Sequence, residues 1–229
     1  MIRSLCAVTA VGVFAFSANA ASIFLTYADP PGELSVHHET AGPGGSFSTL
    51  TVGTQVDLAI DLTDFGMGEV DFLGATFNKT VNIGSVTEVQ PGLFIANATD
   101  GFFEFLDGDN NFIAGGTYGL GGASGAAFIL TASGNLTANA SFVGGDLEYT
   151  VGSFLQGILD AENLTIDVGS ADASWTLTAI TPDAFVTNEG FFSTFDSNGS
   201  FTGTIETIPA PGAVALLGLG GLAATRRRR

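Results

Sequence analysis

Positive charge is almost missing from this chain. Of its six Lys and Arg residues, Arg3 stands near the start, Arg226, Arg227, Arg228 and Arg229 close the end, and Lys79 is alone between them. All 23 acidic residues fall in that same interval. A surface of this sign repels phosphate backbones, because binding them needs Lys and Arg to displace counterions. Anionic membrane surfaces are disfavoured for the same reason. Nucleic acid is thereby excluded as a partner, and cations, neutral glycans and other proteins are left. Cysteine is scarce too. Cys6 is the only one, and it lies in a segment that the sequence marks for removal. The body then has no disulfide, no thiol nucleophile and no thiolate metal site. Also absent are Gly-x-Ser-x-Gly and His-Glu-x-x-His, the spacings that raise a serine nucleophile on an elbow or set two imidazoles on one helix face.

What is plentiful is Phe, with 20 residues, together with Thr, Ser, Asn and Gly. That mixture suits strands and turns, and a body of roughly 185 residues is long enough to bury one core. In Thr54–Thr63 (TQVDLAIDLT), Val56, Leu58, Ile60 and Leu62 alternate with Asp57, Ala59, Asp61 and Thr63. This is a strand with one buried and one wet, acidic face. Ala173–Ala179 and Phe201–Glu206 repeat the pattern. Further strands are predicted over Ser22–Tyr27, Ser46–Val52, Val70–Phe77, Val81–Glu88, Gly92–Ala98, Phe102–Leu106, Ala126–Ala132, Asn135–Val143, Asp146–Val151 and Asn163–Val168. Turns are predicted at Gly44-Gly45, Pro91-Gly92, Asp107-Gly108, Gly144-Gly145 and Asn198-Gly199, and Gly152–Glu162 alone suits a short helix. The fold class is all-β: a single antiparallel β-sandwich or jelly-roll-like domain. Gly101–Phe112 (GFFEFLDGDNNF) and Gly190–Phe201 (GFFSTFDSNGSF) align without a gap, and each reads as a strand, a polar turn and a return strand.

Both ends read as addresses. Met1–Ala20 has one positive charge, an apolar run from Leu5 to Phe16, and Ala18-Asn19-Ala20, whose small residues at Ala18 and Ala20 suit signal peptidase. Cleavage is predicted after Ala20, leaving a body of residues 21–206 and a tail of 207–229. In the tail, Pro209-Ala210-Pro211 breaks regular structure and Gly212–Ala224 is apolar. As a helix that run is about 20 Å long, short of the roughly 30 Å hydrocarbon core. Local thinning and snorkelling arginine stems close the gap. Arg226–Arg229 then hold the end in the cytoplasm, anchoring the chain in the inner membrane while the acidic body passes through.

Proline motif, glycine- and leucine-rich apolar run and terminal arginine cluster, in that order, resemble the PEP-CTERM sorting signal of Gram-negative bacteria. The likeness covers only about Ile208–Arg229, and the middle residue of the motif is Ala210 where the family has Glu. It implies recognition by an exosortase, a membrane transpeptidase-like enzyme, then cutting and delivery to the cell surface, often alongside extracellular polysaccharide. The tail is a substrate in this scheme and assigns no chemistry to the body.

Within the body, Asp107, Asp109 and Asn111 form the best ligand cluster. Alternating Asp and Asn oxygens can converge on Ca2+, although Phe112 and Tyr118 occupy the places where an EF-hand loop needs Gly and Glu. The competing reading is a hairpin turn with Asx geometry. His37-His38-Glu39, with Glu33 nearby, reads as an exposed loop, since neighbouring strand residues point to opposite faces and would not chelate one metal. Asp57 and Asp61 share a strand face but lack the apolar pocket that raises an acid's pKa. Asn78, Asn97, Asn135, Asn139, Asn163 and Asn198 each open an Asn-x-Ser/Thr sequon. The composition points to an exported structural or adhesive protein without catalytic residues. The rivals are a carbohydrate-binding module, with Tyr27, Tyr118 and Tyr149 as stacking faces while Trp175 takes a core-like position, and a hydrolase, which needs two carboxylates facing across a deep cleft.

Overall fold

A computed structural model describes residues 20–30, 32–118, 127–131, 136–139, 147–170 and 172–210. The predicted signal segment up to residue 19, Pro211, the apolar run and Arg226–Arg229 lie outside these, as does the predicted Gly144-Gly145 turn. No helix among the described residues is long and apolar enough to cross a membrane.

The described chain is antiparallel β-sheet with one α-helix and a 3-10 turn at Thr63–Phe65. Its strands are β1 (Ser22–Ala28), β2 (Val36–Glu39), β3 (Ser48–Asp61), β4 (Glu69–Gln90), β5 (Leu93–Leu106), β6 (Phe112–Tyr118), β7 (Ala127–Thr131), β8 (Leu136–Asn139), β9 (Leu147–Val151), β10 (Leu164–Ile166), β11 (Asp172–Thr181) and β12 (Phe195–Pro209), with α1 at Ser153–Glu162. The ladder runs β1-β12-β2-β3-β4-β5-β6-β9, β1 also pairs β3, and β10 and β11 pair β12.

Alternation decides which side is buried. On β3, Leu50, Val52, Val56, Leu58 and Ile60 face inward, and on β12 Phe195, Phe201 and Ile205 do. Several strands predicted in pairs are continuous. Val70–Phe77 and Val81–Glu88 belong to the 22-residue β4, because Asn78-Lys79-Thr80 keeps the two-residue phase. The inward series is therefore Ala75, Phe77, Lys79, Val81 and Ile83. Likewise Ser46–Val52 joins Thr54–Thr63 as β3, and Gly92–Ala98 joins Phe102–Leu106 as β5.

Two expectations fail. His37-His38-Glu39 is β2, a strand bonded between β12 and β3, and not an exposed loop. Asn198-Gly199 is no turn: it lies inside β12 opposite Thr178 and Leu177. The Gly190–Phe201 echo of the Gly101–Phe112 hairpin is consequently one of sequence alone. β1 and β2 occupy the same slot in tandem, with Ala28 opposite Ser200 and Val36 opposite Ser197. The Asp29–Ser35 excursion leaves the sheet between them. The Asn198 amide donates to the carbonyls of Pro30 at 2.9 Å and Glu33 at 3.0 Å, fastening the excursion to the strand.

The sheet folds over on itself. At about 4.8 Å per strand, β12 and β5 would stand about 19 Å apart in a flat ladder. Yet the rings of Phe201 and Phe103 meet at 5.0 Å, and the Tyr149 hydroxyl of β9 donates to the Asp172 carbonyl of β11 at 2.8 Å. Between the facing halves lie Tyr27, Phe77, Phe103, Phe105, Tyr149 and Phe201, in tilted, stacked and edge-on contacts. Each such pair adds about 0.5–1.5 kcal/mol beyond burial. The helix seals one side with Leu155 and Leu159, one turn apart. Gly152 starts it, and only glycine fits there: a Cβ would stand 1.7 Å from the Phe112 carbonyl oxygen.

Candidate functional site

The most unusual chemistry is inside. Lys79 is 4 % exposed, and its ammonium nitrogen lies 3.7 Å from the centre of the Trp175 ring. Strand register puts Val52 on one side of it and Phe103 on the other. Burial pushes the amine pKa down to about 7. A desolvated cation over an indole recovers about 2 kcal/mol, against several for removing an ammonium from water. Beside it is a group of buried polar atoms without aligned hydrogen-bond partners: the Tyr27 hydroxyl, Asp29 Oδ1, Trp175 Nε1 and Ser197 Oγ. Two of these side chains, Asp29 and Trp175, meet at Gly199. Asp29 Oδ2 accepts from the Gly199 amide at 2.8 Å and from the Ser35 hydroxyl. A Cβ on Gly199 would meet Trp175 Nε1 at 3.0 Å. Burial, then the Asp29 charge, holds the Tyr27 phenol well above the usual tyrosine range. The sequence displayed Lys79 as the body's lone cation but gave it no place. The usable signal was its phase with Phe77 and Val81.

A second buried polar group centres on His38, which is fully buried. Nδ1 lies 2.9 Å from the Ser193 carbonyl and Nε2 lies 3.0 Å from Ser48 Oγ. A carbonyl only accepts, so Nδ1 carries the hydrogen and Nε2 is an acceptor for the Ser48 hydroxyl, which also lies 3.3 Å from the Ile83 carbonyl. Burial lowers the ring's pKa to about 4. This is the hydrogen-bond pattern of a serine–histidine pair, but Phe195 stacks on the ring at 4.7 Å, Phe192 closes its edge and Ser48 is 1 % exposed. No substrate reaches that hydroxyl in this conformation. His37 points outward, as strand alternation requires. Its Nδ1 is 2.7 Å from Asp196 and its Nε2 is 3.3 Å from Glu39. The Asp196 contact chiefly raises its pKa.

The Asp107 segment is a tight hairpin turn between β5 and β6. Asp107 Oδ1 accepts the amides of Asp109 at 2.9 Å and Asn111 at 2.8 Å, and Oδ2 accepts the Asn111 side chain at 2.9 Å. These donors hold its carboxyl below the usual range. In this arrangement Asp107 and the Asn111 amide satisfy each other, and calcium would have to displace them. Among the described residues, no group of three or more His, Cys, Asp or Glu side chains is placed to hold a metal. Asp57 and Asp61 sit on the outer face. Asp57 accepts the Gly74 amide, and Asp61 accepts the amide and hydroxyl of Thr63, which lower its pKa, the reverse of what a general acid needs. Trp175 is a core residue, as its place in the alternation suggested, and Tyr27 and Tyr149, offered as glycan-stacking faces, are core residues too. The side chain of Tyr118 lies outside the described set.

The described residues nearest the two predicted processing segments lie side by side. Ala20 is exposed, whereas Ala21 is buried. The Ala21 amide donates to Thr207 Oγ1 at 3.1 Å, and the Thr207 amide returns a bond to the Ala21 carbonyl at 3.0 Å. Residues 207–210, assigned by sequence to the tail, are docked. Thr207, Ile208 and Pro209 pair with Ile166, Thr165 and Leu164, and the Ala210 amide donates to the Asn163 carbonyl at 2.9 Å. Pro211 and Arg226–Arg229 lie outside the described residues, as does Ala18.

No family model, no curated protein and no solved structure matches this chain.

Proposed function

We propose that this is an exported protein of a Gram-negative cell surface or extracellular matrix, structural or adhesive in role. Its body is an antiparallel β-sandwich of jelly-roll type, and its tail is a PEP-CTERM-like signal for an exosortase-like enzyme. The observation that carries the reading is the shared pole. The predicted signal-peptidase product begins at Ala21, which is bonded to Thr207, and Pro209 and Ala210 follow directly. A body whose ends meet can hang from one membrane by both apolar segments while translocation finishes. The buried histidine–serine pair and the solvated carboxylates support a non-catalytic role, and an acidic exterior suits a protein among hydrated exopolysaccharide.

The test is cell fractionation of the full chain in a host carrying the processing enzyme, beside a chain lacking Arg226–Arg229. The full chain should become accessible to protease added outside the cell. The truncated chain should fail to be retained and should pass into the periplasm unprocessed. Identical distribution of the two would refute the sorting role of the tail.

A further inference from the structure

We propose that Thr207, Glu206 and Asp64 form the seat of an ammonium group, which the chain acquires only when its signal segment is cut off at Ala21. The proposal rests on the export reading and adds what that cut does to the body. Ala20 is exposed and Ala21 is buried, so the predicted bond lies where the chain enters the fold. The Ala21 nitrogen is already held there. It donates to Thr207 Oγ1 at 3.1 Å, and the same hydroxyl donates back to the Ala21 carbonyl at 2.7 Å. Thr207 is 1 % exposed. One residue further on, two carboxylates close on Ser22. Asp64 Oδ2 accepts its amide at 3.0 Å, and Glu206 Oε2 accepts its hydroxyl at 2.7 Å. Successive Cα atoms are about 3.8 Å apart, which sets both acids in the neighbourhood of the Ala21 nitrogen.

The same corner carries more negative charge. Asp61 lies opposite Phe24, and Glu69 lies opposite Asp61. The only Lys or Arg among the described residues is Lys79, and it is in the core. In the uncut chain the Ala21 nitrogen is a neutral amide and answers none of this charge. Cutting changes that. Water breaks the Ala20–Ala21 bond, its oxygen goes to the Ala20 acyl carbon, and both its hydrogens go to the Ala21 nitrogen. Ala20 leaves as a carboxylate and Ala21 keeps an ammonium. The bond to Thr207 becomes charge-assisted and roughly twice as strong as a neutral one. β1 then gains an electrostatic tie to the end of β12 and to the Thr63–Phe65 turn. The uncut chain is the looser form and the cut chain the tighter.

The test uses the exported protein recovered from cells. Its N-terminal sequence is read first. The folded protein is then treated at neutral pH with a small amine-selective ester. Without the signal segment the chain has two primary amines, on Ala21 and Lys79, and peptide masses follow each. Asp64→Asn with Glu206→Gln keeps the shape and removes the charge, and Trp175 emission checks that the variant is folded. The proposal expects Ala21 to react about two- to fivefold faster in that variant. A second measurement is urea unfolding of the same protein beside a chain that begins at Ala20, whose ammonium stands one residue away. The Ala21 chain should have the larger folding equilibrium constant by about two- to fivefold, and the double substitution should erase the difference. Equal acylation rates, or equal stability of the two chains, would overturn the proposal. An exported protein that begins elsewhere than Ala21 would overturn it too and leave export standing. A retained signal segment would overturn the export reading, and the proposal would fall with it.

Discussion

Replacing Lys79 with Met should abolish a pH dependence that the wild-type body carries in its core. The folded amine titrates at about 7 and the unfolded one at 10.5. Between those values the unfolded chain keeps the proton and the folded chain sheds it, so stability rises with pH across the interval. At about 1.4 kcal/mol per unit, the full span is about 5 kcal/mol. The attraction to Trp175 acts on the charged form alone and trims this to about 3 kcal/mol. Tyr27 and Tyr149 are both held above the ordinary tyrosine range by burial. As the pH nears 10 the unfolded phenols begin to ionise while the folded ones do not, which costs stability equally in both chains and cancels in the difference. His37 loses stabilisation as pH rises through its raised pKa, but it does so equally in both chains and cancels in the difference. Met fills similar volume without a charge. The assay is urea unfolding from pH 7 to 10, followed by far-UV circular dichroism and by the emission of Trp175, the only tryptophan in the chain. Wild type should gain about 3 kcal/mol relative to the variant's profile. Parallel profiles would refute the placement of a desolvated amine at this position.

Other perturbations follow from the same geometry. Gly199→Ala forces a methyl to 3.0 Å from Trp175 Nε1 and 3.1 Å from Val36 Cγ2, so it should destabilise by about 1–3 kcal/mol and shift Trp175 emission; an unchanged melting temperature and spectrum would contradict that packing. His38 has a folded pKa of about 4 against 6.5, so its contribution is present above pH 6.5 and is lost as pH falls toward 4, up to about 3 kcal/mol. His38→Gln should flatten that acid limb in denaturant titrations. Asp107→Ala removes the acceptor of the hairpin's donors and should lower the melting temperature by a few degrees. For the wild type, millimolar calcium against EDTA should leave the melting curve unmoved; a calcium-dependent rise would restore the metal reading.

The strand content was legible because alternation is a local signal. Val56, Leu58 and Ile60 announced a buried face, and that face is buried. Strand continuity was harder to read. Asn78-Lys79-Thr80 resembled a break because polar residues usually mark one, but the phase across it was unbroken. Asn198-Gly199 carried a strong turn signal and lies in a strand. Its glycine is explained by the Trp175 indole lying over it, and its asparagine by the Asp29–Ser35 excursion that it fastens. Both reasons are contacts with residues far along the chain. β2 escaped for the same reason. Val36–Glu39 is too short to show a period, and it is a strand because β12 and β3 bond it from both sides. The Asp107 hairpin was legible because Asx geometry is written within five residues.

Burying Lys79 completes the surface that the composition began. It is the only Lys or Arg among the described residues, and it faces the core. Outside, His37 already holds two carboxylates, so exposed acids have little cationic charge to meet. Asp61 even lies directly opposite Glu69 in the β3–β4 ladder, a pairing that costs stability by itself. Neutral donors answer it instead. Thr63 bonds Asp61, Asn78 bonds Glu104 at 3.0 Å, and Asn82 bonds both oxygens of Asp100. This arrangement holds each carboxylate in place without cancelling its charge, so the outer face stays negative as well as ordered. Such a face resists strand-to-strand aggregation, and it would meet an anionic polysaccharide only through hydroxyl and amide contacts or through cations bridging the two. Attachment by plain charge attraction is left to the one strongly basic part of the chain, Arg226–Arg229. On the sorting reading that part is cut away, and on the proposed adhesive role contact would fall to the Thr-, Ser- and Asn-rich outer strands.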